Sequence, residues 1–258
     1  MVNYTLEACV DSVESALGAS NGGASRLELC SNLIIGGTTP SQWLFEEIRR
    51  YTDIKINALI RPRCGDFCYS DYEFNIIKEE VRMFKELGAN GVALGILKPD
   101  GTLNLKQMEI LMNLSGTMKV TLHRAFDVCI NPYEALEQAG KLGINSILTS
   151  GQKNTCIAGS NLIKELVEIS RGEIEILVGG GVNASVINEI GPRTGAKAYH
   201  MSGKVSMDSA MEFRKEGVSM GLPSINEYII WKTDERKIRE ARKALESFIN
   251  DSSVSAPR

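Results

Sequence analysis

Short runs of β-branched and apolar residues recur along the chain, each followed by an amphipathic stretch of helical period before the next run begins. Eight runs stand out: Tyr4–Val10, Arg26–Asn32, Lys55–Pro62, Gly91–Lys98, Lys119–Phe126, Ser146–Gly151, Ile174–Gly179 and Ala198–Ser202. Between them the apolar spacing becomes helical. In Tyr72–Leu87 the side chains Ile76, Ile77, Val81, Phe84 and Leu87 share a face, as do Leu136, Ala139 and Leu142 in Tyr133–Leu142. Gly88, Gly116, Gly143 and Gly172 follow such stretches and suit the left-handed conformation that closes a helix. Strands alternating with helices pair in parallel, and eight of them close into a barrel without free edges. The pattern predicts an α/β protein of one domain, a (β/α)8 TIM barrel over residues 1–250, with a doubly wound open sheet as the alternative. Val205–Asn226, rich in Ser, Gly and Met, reads as an elaborated loop after the eighth strand. Glu227–Phe248 reads as a closing helix with Ile230, Ile238, Ala241, Leu245 and Phe248 inward, and residues 251–258 as a frayed tail.

Period-two alternation assigns faces within the runs. Leu6, Ala8 and Val10 suit the helix-facing side, which turns Glu7 and Cys9 toward the axis. Leu27 and Leu29 likewise leave Glu28 and Cys30 inward, and Ile56, Ala58 and Ile60 leave Asn57 and Arg61 there. The fifth run adds Thr121 and His123, the eighth His200 and Ser202. Such an axis is polar where barrels ordinarily fill with branched apolar side chains. A buried charge without a partner costs roughly several kcal/mol. The sequence therefore requires either a structural ion-pair network or a wet ligand pocket, and spacing leaves both open.

Composition narrows the function classes. A chain of 258 residues, 43% hydrophobic and 24% charged, has the size of one such barrel and enough core to stand without disulfides. A net charge of -3 with the two signs interleaved gives no broad basic field for nucleic acid. The apolar runs fall far short of the roughly 20 residues that cross a bilayer, so no membrane role is expected. Six cysteines at irregular spacings, with no secretory signal pattern at the start, point to a reducing, cytoplasmic setting.

Three constellations carry candidate chemistry. Cys9 and Cys30 end adjacent strands, which lie about 4.8 Å apart, so their sulfurs can meet at the barrel mouth unless the layering of alternate strands offsets them. Two soft thiolates suit Cu(I), whereas Zn(II) asks for four protein ligands or three plus water; the alternative is two small buried hydrophobes. The C-x3-C of Cys64 and Cys68 is a weak spacing, and Cys129 and Cys156 suggest no role. Across the mouth, Thr149-Ser150-Gly151, Gly179-Gly180-Gly181 and Ser202-Gly203-Lys204 follow strands six to eight, where exposed N–H groups can cradle an anion and Asn183 can cap the next helix. Tight βα turns need the same glycines. Thirdly, His123, with Arg124 beside it and Asp127 or Glu28 to set its tautomer, is an acid–base candidate or a satisfied core histidine. No nucleophile–base–orienter trio is legible, so the catalytic residues stay unassigned.

The segments L-E-A-C-V-D-S-V-E-S-A, R-L-E-L-C-S-N-L, G-G-T-T-P-S, I-R-P-R-C-G-D-F-C-Y-S-D, T-L-H-R-A-F-D, I-L-T-S-G and G-G-G-V-N together resemble the CutC copper homeostasis family. The resemblance runs from about Tyr4 to Lys243, and Ser209–Gly221 is similar to animal members. It implies a cytoplasmic (β/α)8 protein that self-associates, is linked to copper tolerance, and binds Cu(I) through Cys9 and Cys30. The chain departs from the family pattern at Cys64, where a turn glycine is usual, at Lys204, where an arginine is usual, and at Val178, where proline is common. An alternative expectation, drawn from the polar axis and glycine-rich loops, is a barrel enzyme acting on an anionic or phosphorylated small molecule. Its pocket would draw on Glu7, Glu28, Arg61, His123, Arg124, Asp127, Ser150, Gly151, Gly180, Gly181, His200, Ser202 and Lys204.

Overall fold

A computed structural model describes residues 4–220 and 225–254. Eight parallel strands, β1 (Thr5–Val10), β2 (Arg26–Leu29), β3 (Lys55–Leu59), β4 (Gly91–Leu94), β5 (Lys119–Leu122), β6 (Ser146–Thr149), β7 (Glu175–Val178) and β8 (Ala198–Met201), close in sequential order into a barrel. The closure is made by β1 and β8, with Glu7 opposite His200. The open-sheet alternative is thereby excluded. Helices α1 (Val13–Gly22), α2 (Gln42–Arg49), α3 (Asp71–Glu86), α4 (Leu105–Ser115), α5 (Pro132–Leu142), α6 (Ser160–Ser170) and α7 (Ala184–Thr194) lie between consecutive strands. Their starts are set by side chains that accept orphan N–H groups: Ser12, Ser41, Ser70, Asn104, Asn131 and Asn183 each cap one helix. Ser70 and Glu73 form a reciprocal capping box.

The main core lies between barrel and helices, where Leu6, Leu27, Ile56, Val92, Val120 and Tyr199 meet Phe45, Ile77, Phe84 and Ile187. Alternation sends the other residues inside. Two small apolar groups sit there, one of Cys9, Cys30, Leu59 and Ala93, the other of Leu148, Leu177 and Ala198. Polar side chains fill the remainder, including Glu7, Glu28, Asn57, Thr121 and Ser146, all nearly fully buried.

Three expectations need correction. The segment after β8 is not simply a loop, because Lys204–Asp208 (β9) pairs antiparallel with Ile229–Thr233 (β10). The closing helix α8 accordingly spans Glu235–Val254, so Ile230 is an exposed strand residue and not part of the helix's inner face. The run Ile229-Ile230-Trp231 is β-branched and aromatic, and it favours a pleated strand over a helix start. The hairpin is fixed to the barrel by Thr233, whose N–H donates to Ser15 Oγ and whose hydroxyl donates to the Ser202 carbonyl. The expected tail is helical through Val254. Residues 255–258, like Gly221 at the end of the animal-like segment, lie outside the described residues.

Candidate functional site

Register places the first buried charge. Glu7 faces Arg26 on one neighbouring strand and His200 on the other. Its carboxylate accepts from Arg26 Nε at 2.5 Å and from His200 Nδ1 at 2.7 Å. Arg26 also donates to Glu175 at 2.8 Å, which accepts in turn from Ser146 and Thr5. Burial alone would raise Glu7, but Arg26 and His200 outweigh it and hold the acid at about 2. On His200 burial pulls downward, and the carboxylates of Glu28 and Glu7 reverse it to a raised value. This part of the polar axis is an ion-pair network, and Arg26 and Glu175 are members that the alternation argument did not single out.

One layer higher, Glu28 is the register partner of Cys9. The Cys9 thiol donates to Glu28 Oε2 at 3.3 Å and lies 3.7 Å from the Cys30 sulfur. Cys30 approaches the Val10 carbonyl at 3.5 Å. His200 Nε2 stands 3.9 Å from Glu28 Oε2, and ligand atoms of Cys9, Glu28 and His200 all lie within 4.8 Å of one another. The hydrogen bond to Cys30, then burial, then the charges of Cys30 and Glu28 push the Cys9 thiol well above its ordinary range. Burial likewise raises Glu28. Both shifts favour the protonated forms, so a cation bound here would have to displace protons.

Cys9 and Glu28 line one wall of a cavity of about 560 Å³ at the carboxyl ends of the strands. Cys30 lies behind that wall, fully buried. Arg61, Phe67 and His123 line it too. Arg61 donates from Nη1 to the carbonyls of Gly36 and Gly37, both at 3.1 Å, and from Nη2 to Gly65 at 3.0 Å. Its guanidinium packs 5.1 Å over the Phe67 ring, which also meets the His123 imidazole with centroids 4.8 Å apart. The sequence pattern did not flag Phe67, because it lies in a loop without periodicity. His123 Nδ1 accepts from the Ala125 N–H at 3.2 Å, so the ring proton sits on Nε2. Burial first, and the Arg61 charge second, lower this histidine to about 3.

The tautomer of His123 is therefore set by its own backbone and not by Asp127 or Glu28. Asp127 faces the strand-six turn, accepting from Thr149 Oγ1 at 2.5 Å, from the N–H groups of Ser150 and Gln152, and from Arg124 Nε at 2.7 Å. With these donors on it, Asp127 clamps two βα loops. The same clamp removes Ser150 and Gly151 from the expected anion cradle: the Ser150 and Gln152 amides point at Asp127, and the Gly151 amide at Thr149 Oγ1. Gly151 also packs directly on Gly159, where an added Cβ would lie 2.2 Å from the Gly159 carbonyl oxygen. Gly180, Gly181 and Ser202 do reach the cavity. Lys204 does not; its ammonium sits over the Trp231 ring of the hairpin. At the unusual Cys64 the backbone is not left-handed, since the turn takes its positive φ of 93° at Gly65 instead. A side chain is tolerated there, and the thiol is exposed.

Comparison with known proteins places these residues in a wider set. The CutC family model matches residues 4–205. A human copper homeostasis protein cutC homolog is 41% identical over 237 residues, covering 92% of this chain and 87% of the human one. A CutC family protein of Bacteroides fragilis is 42% identical over 249 residues, 96% of this chain and 99% of its own. The crystal structure of a copper homeostasis protein CutC from Streptococcus agalactiae superimposes with a TM-score of 0.74 at 33% identity, covering 78% of this chain and 99% of that one.

Proposed function

The chain belongs to the CutC family, and on that premise we propose that it serves copper homeostasis by taking one Cu(I) ion between the thiolates of Cys9 and Cys30. The observation that carries this reading is the 3.7 Å separation of the two sulfurs beside an open cavity at the barrel mouth. The donor set fits the ion. Thiolates are soft ligands that select Cu(I), and two of them serve a monovalent d10 ion where zinc would require more. Glu28 Oε1, buried without a hydrogen-bond partner, and His200 stand beside the sulfurs as neighbours that can take up or release a proton as the ion enters. On binding, two S–H bonds break, two Cu–S bonds form, two protons leave, and copper stays in its +1 state.

Anaerobic competition against a Cu(I) chelator tests the assignment, with Cys9→Ser, Cys30→Ser and the double variant. Affinity should fall by at least about a hundredfold in each single variant, the upper end of what loss of a mere outer-shell partner costs. Unchanged affinity in both single variants would sink it.

A further inference from the structure

Among the described residues, six buried side-chain nitrogen or oxygen atoms have no hydrogen-bond partner, and three of them, Arg61 Nε, His123 Nε2 and Glu28 Oε1, belong to residues lining the same cavity. Buried polar atoms are ordinarily paired, so three around one opening mark groups held ready for something that enters. Two of the three are donors, and the residues that carry them both pack on the Phe67 ring. The Arg61 guanidinium is held in place by three neutral carbonyls and the Phe67 ring, and among the described residues no carboxylate forms an ion pair with it. The neighbouring acids are engaged elsewhere: Asp127 by its loop clamp, Glu28 by Cys9, Glu7 by Arg26 and His200. His123, 3% exposed, presents a neutral Nε2–H whose position is fixed by the Ala125 amide and by Phe67. A fixed, uncompensated cation beside a fixed neutral donor matches an anion with two acceptor oxygens.

We propose that this cavity binds a small carboxylate or phosphate anion, held by Arg61 Nε and His123 Nε2, as a site separate from the thiol pair. The anion supplies the missing negative charge and removes two unpaired donors at once. Because neither Cys9 nor Cys30 contacts the anion in this arrangement, the site stands or falls independently of copper binding.

The two histidines of the chain make the test direct. Long-range ¹H–¹⁵N spectra of the copper-free, full-length protein resolve both imidazoles and report their tautomers. Sodium phosphate and sodium malonate are titrated separately at constant ionic strength. The His123 Nε2 signals should move saturably with at least one of them, and the anion that saturates at lower concentration identifies the chemistry. By calorimetry Arg61→Met and His123→Phe should each weaken that binding roughly tenfold or more, the loss expected for a charge-assisted or buried hydrogen bond. The Cys9→Ser/Cys30→Ser double variant should bind as the parent does, which separates this proposal from the copper reading. No saturable movement with either anion overturns the site, as does unchanged affinity in both Arg61→Met and His123→Phe. Should Arg61→Met fail to fold, the parent titration and His123→Phe decide the question between them.

Discussion

The sulfurs of Cys9 and Cys30 lie 3.7 Å apart, yet only one of the two residues borders the cavity. Cys9 is 4% exposed and Cys30 wholly buried, while the Cys9 thiol is pushed upward first by its hydrogen bond to Cys30 and then by burial. Reactivity follows thiolate fraction and access, and both are low here. A bulky aromatic disulfide reagent should therefore label the native protein at exposed Cys64 first and at half-buried Cys68 second. Cys9, Cys30, Cys129 and Cys156, all buried, should react only at the rate of unfolding. Mass spectrometry of early time points checks the order. Labelling of Cys9 in the first phase would show that the cavity admits far more than an ion or a small anion.

Acid should weaken the fold through Glu7. A carboxyl whose ordinary value is 4.5 is held at about 2 by Arg26 and His200 against the opposing effect of burial. A depressed folded value contributes stability above the unfolded value and loses it as pH falls through the folded one, so the loss runs from about 4.5 down to about 2. Its size is about 3 kcal/mol. His200 has the opposite sign: raised from 6.5, it contributes below that value and gives up the contribution as pH rises through its folded value. Urea midpoints should thus peak in mildly acidic solution. Glu7→Gln should lose about 3 kcal/mol there and show a much flatter acid limb. An acid limb as steep as the parent's in this variant would move the effect to another carboxylate.

Asp127 gives a second, structural prediction. Removing an acceptor that is buried and serves several donors leaves those donors unpaired, at about 1–3 kcal/mol for a buried neutral donor. Asp127→Ala should destabilise by that order and release hydrogen-exchange protection at the Ser150 and Gln152 amides, both of which donate to it. Asp127→Asn, which keeps one acceptor oxygen, should fall between. Unaltered exchange at those two amides in Asp127→Ala would show that the turn is held by other contacts.

Most of the barrel was legible because period-two alternation and helical spacing are local signals that each strand and helix repeats. The inward placement of Glu7, Cys9, Glu28, Cys30, His123 and His200 follows from the same alternation. What alternation leaves open is partnership, since it assigns a face without a register. Register decides that Cys9 sits opposite Glu28 and that Glu7 lies between Arg26 and His200. Loop geometry is further still from sequence. Asp127 turns toward the Ser150 loop and Phe67 reaches across to His123 because tertiary packing brings distant loops together. The hairpin after β8 is hidden in the sequence for another reason: a short apolar run beside a long amphipathic one reads equally as the first turn of the helix.

The role of Glu28 distinguishes two kinds of copper site. Its Oε2 lies 3.3 Å from the Cys9 sulfur, near enough to act either as a hydrogen-bond acceptor or as a third ligand. Burial raises this carboxyl, which works against the deprotonated form that a metal ligand needs. Oxygen donors also suit harder ions than Cu(I). Both considerations favour, for the proposed copper site, two thiolates that carry the ion and a Glu28 that only handles protons. Glu28→Gln keeps the shape and a polar group at the same position. Its affinity for Cu(I) at neutral pH should accordingly stay within about threefold of the parent, a difference of less than about 1 kcal/mol. Proton release on binding, followed by calorimetry in buffers of different ionisation enthalpy, should change in the same variant, because the titratable carboxyl beside Cys9 is gone. An affinity loss as large as that of a cysteine variant would make Glu28 a ligand, and the site a three-donor one.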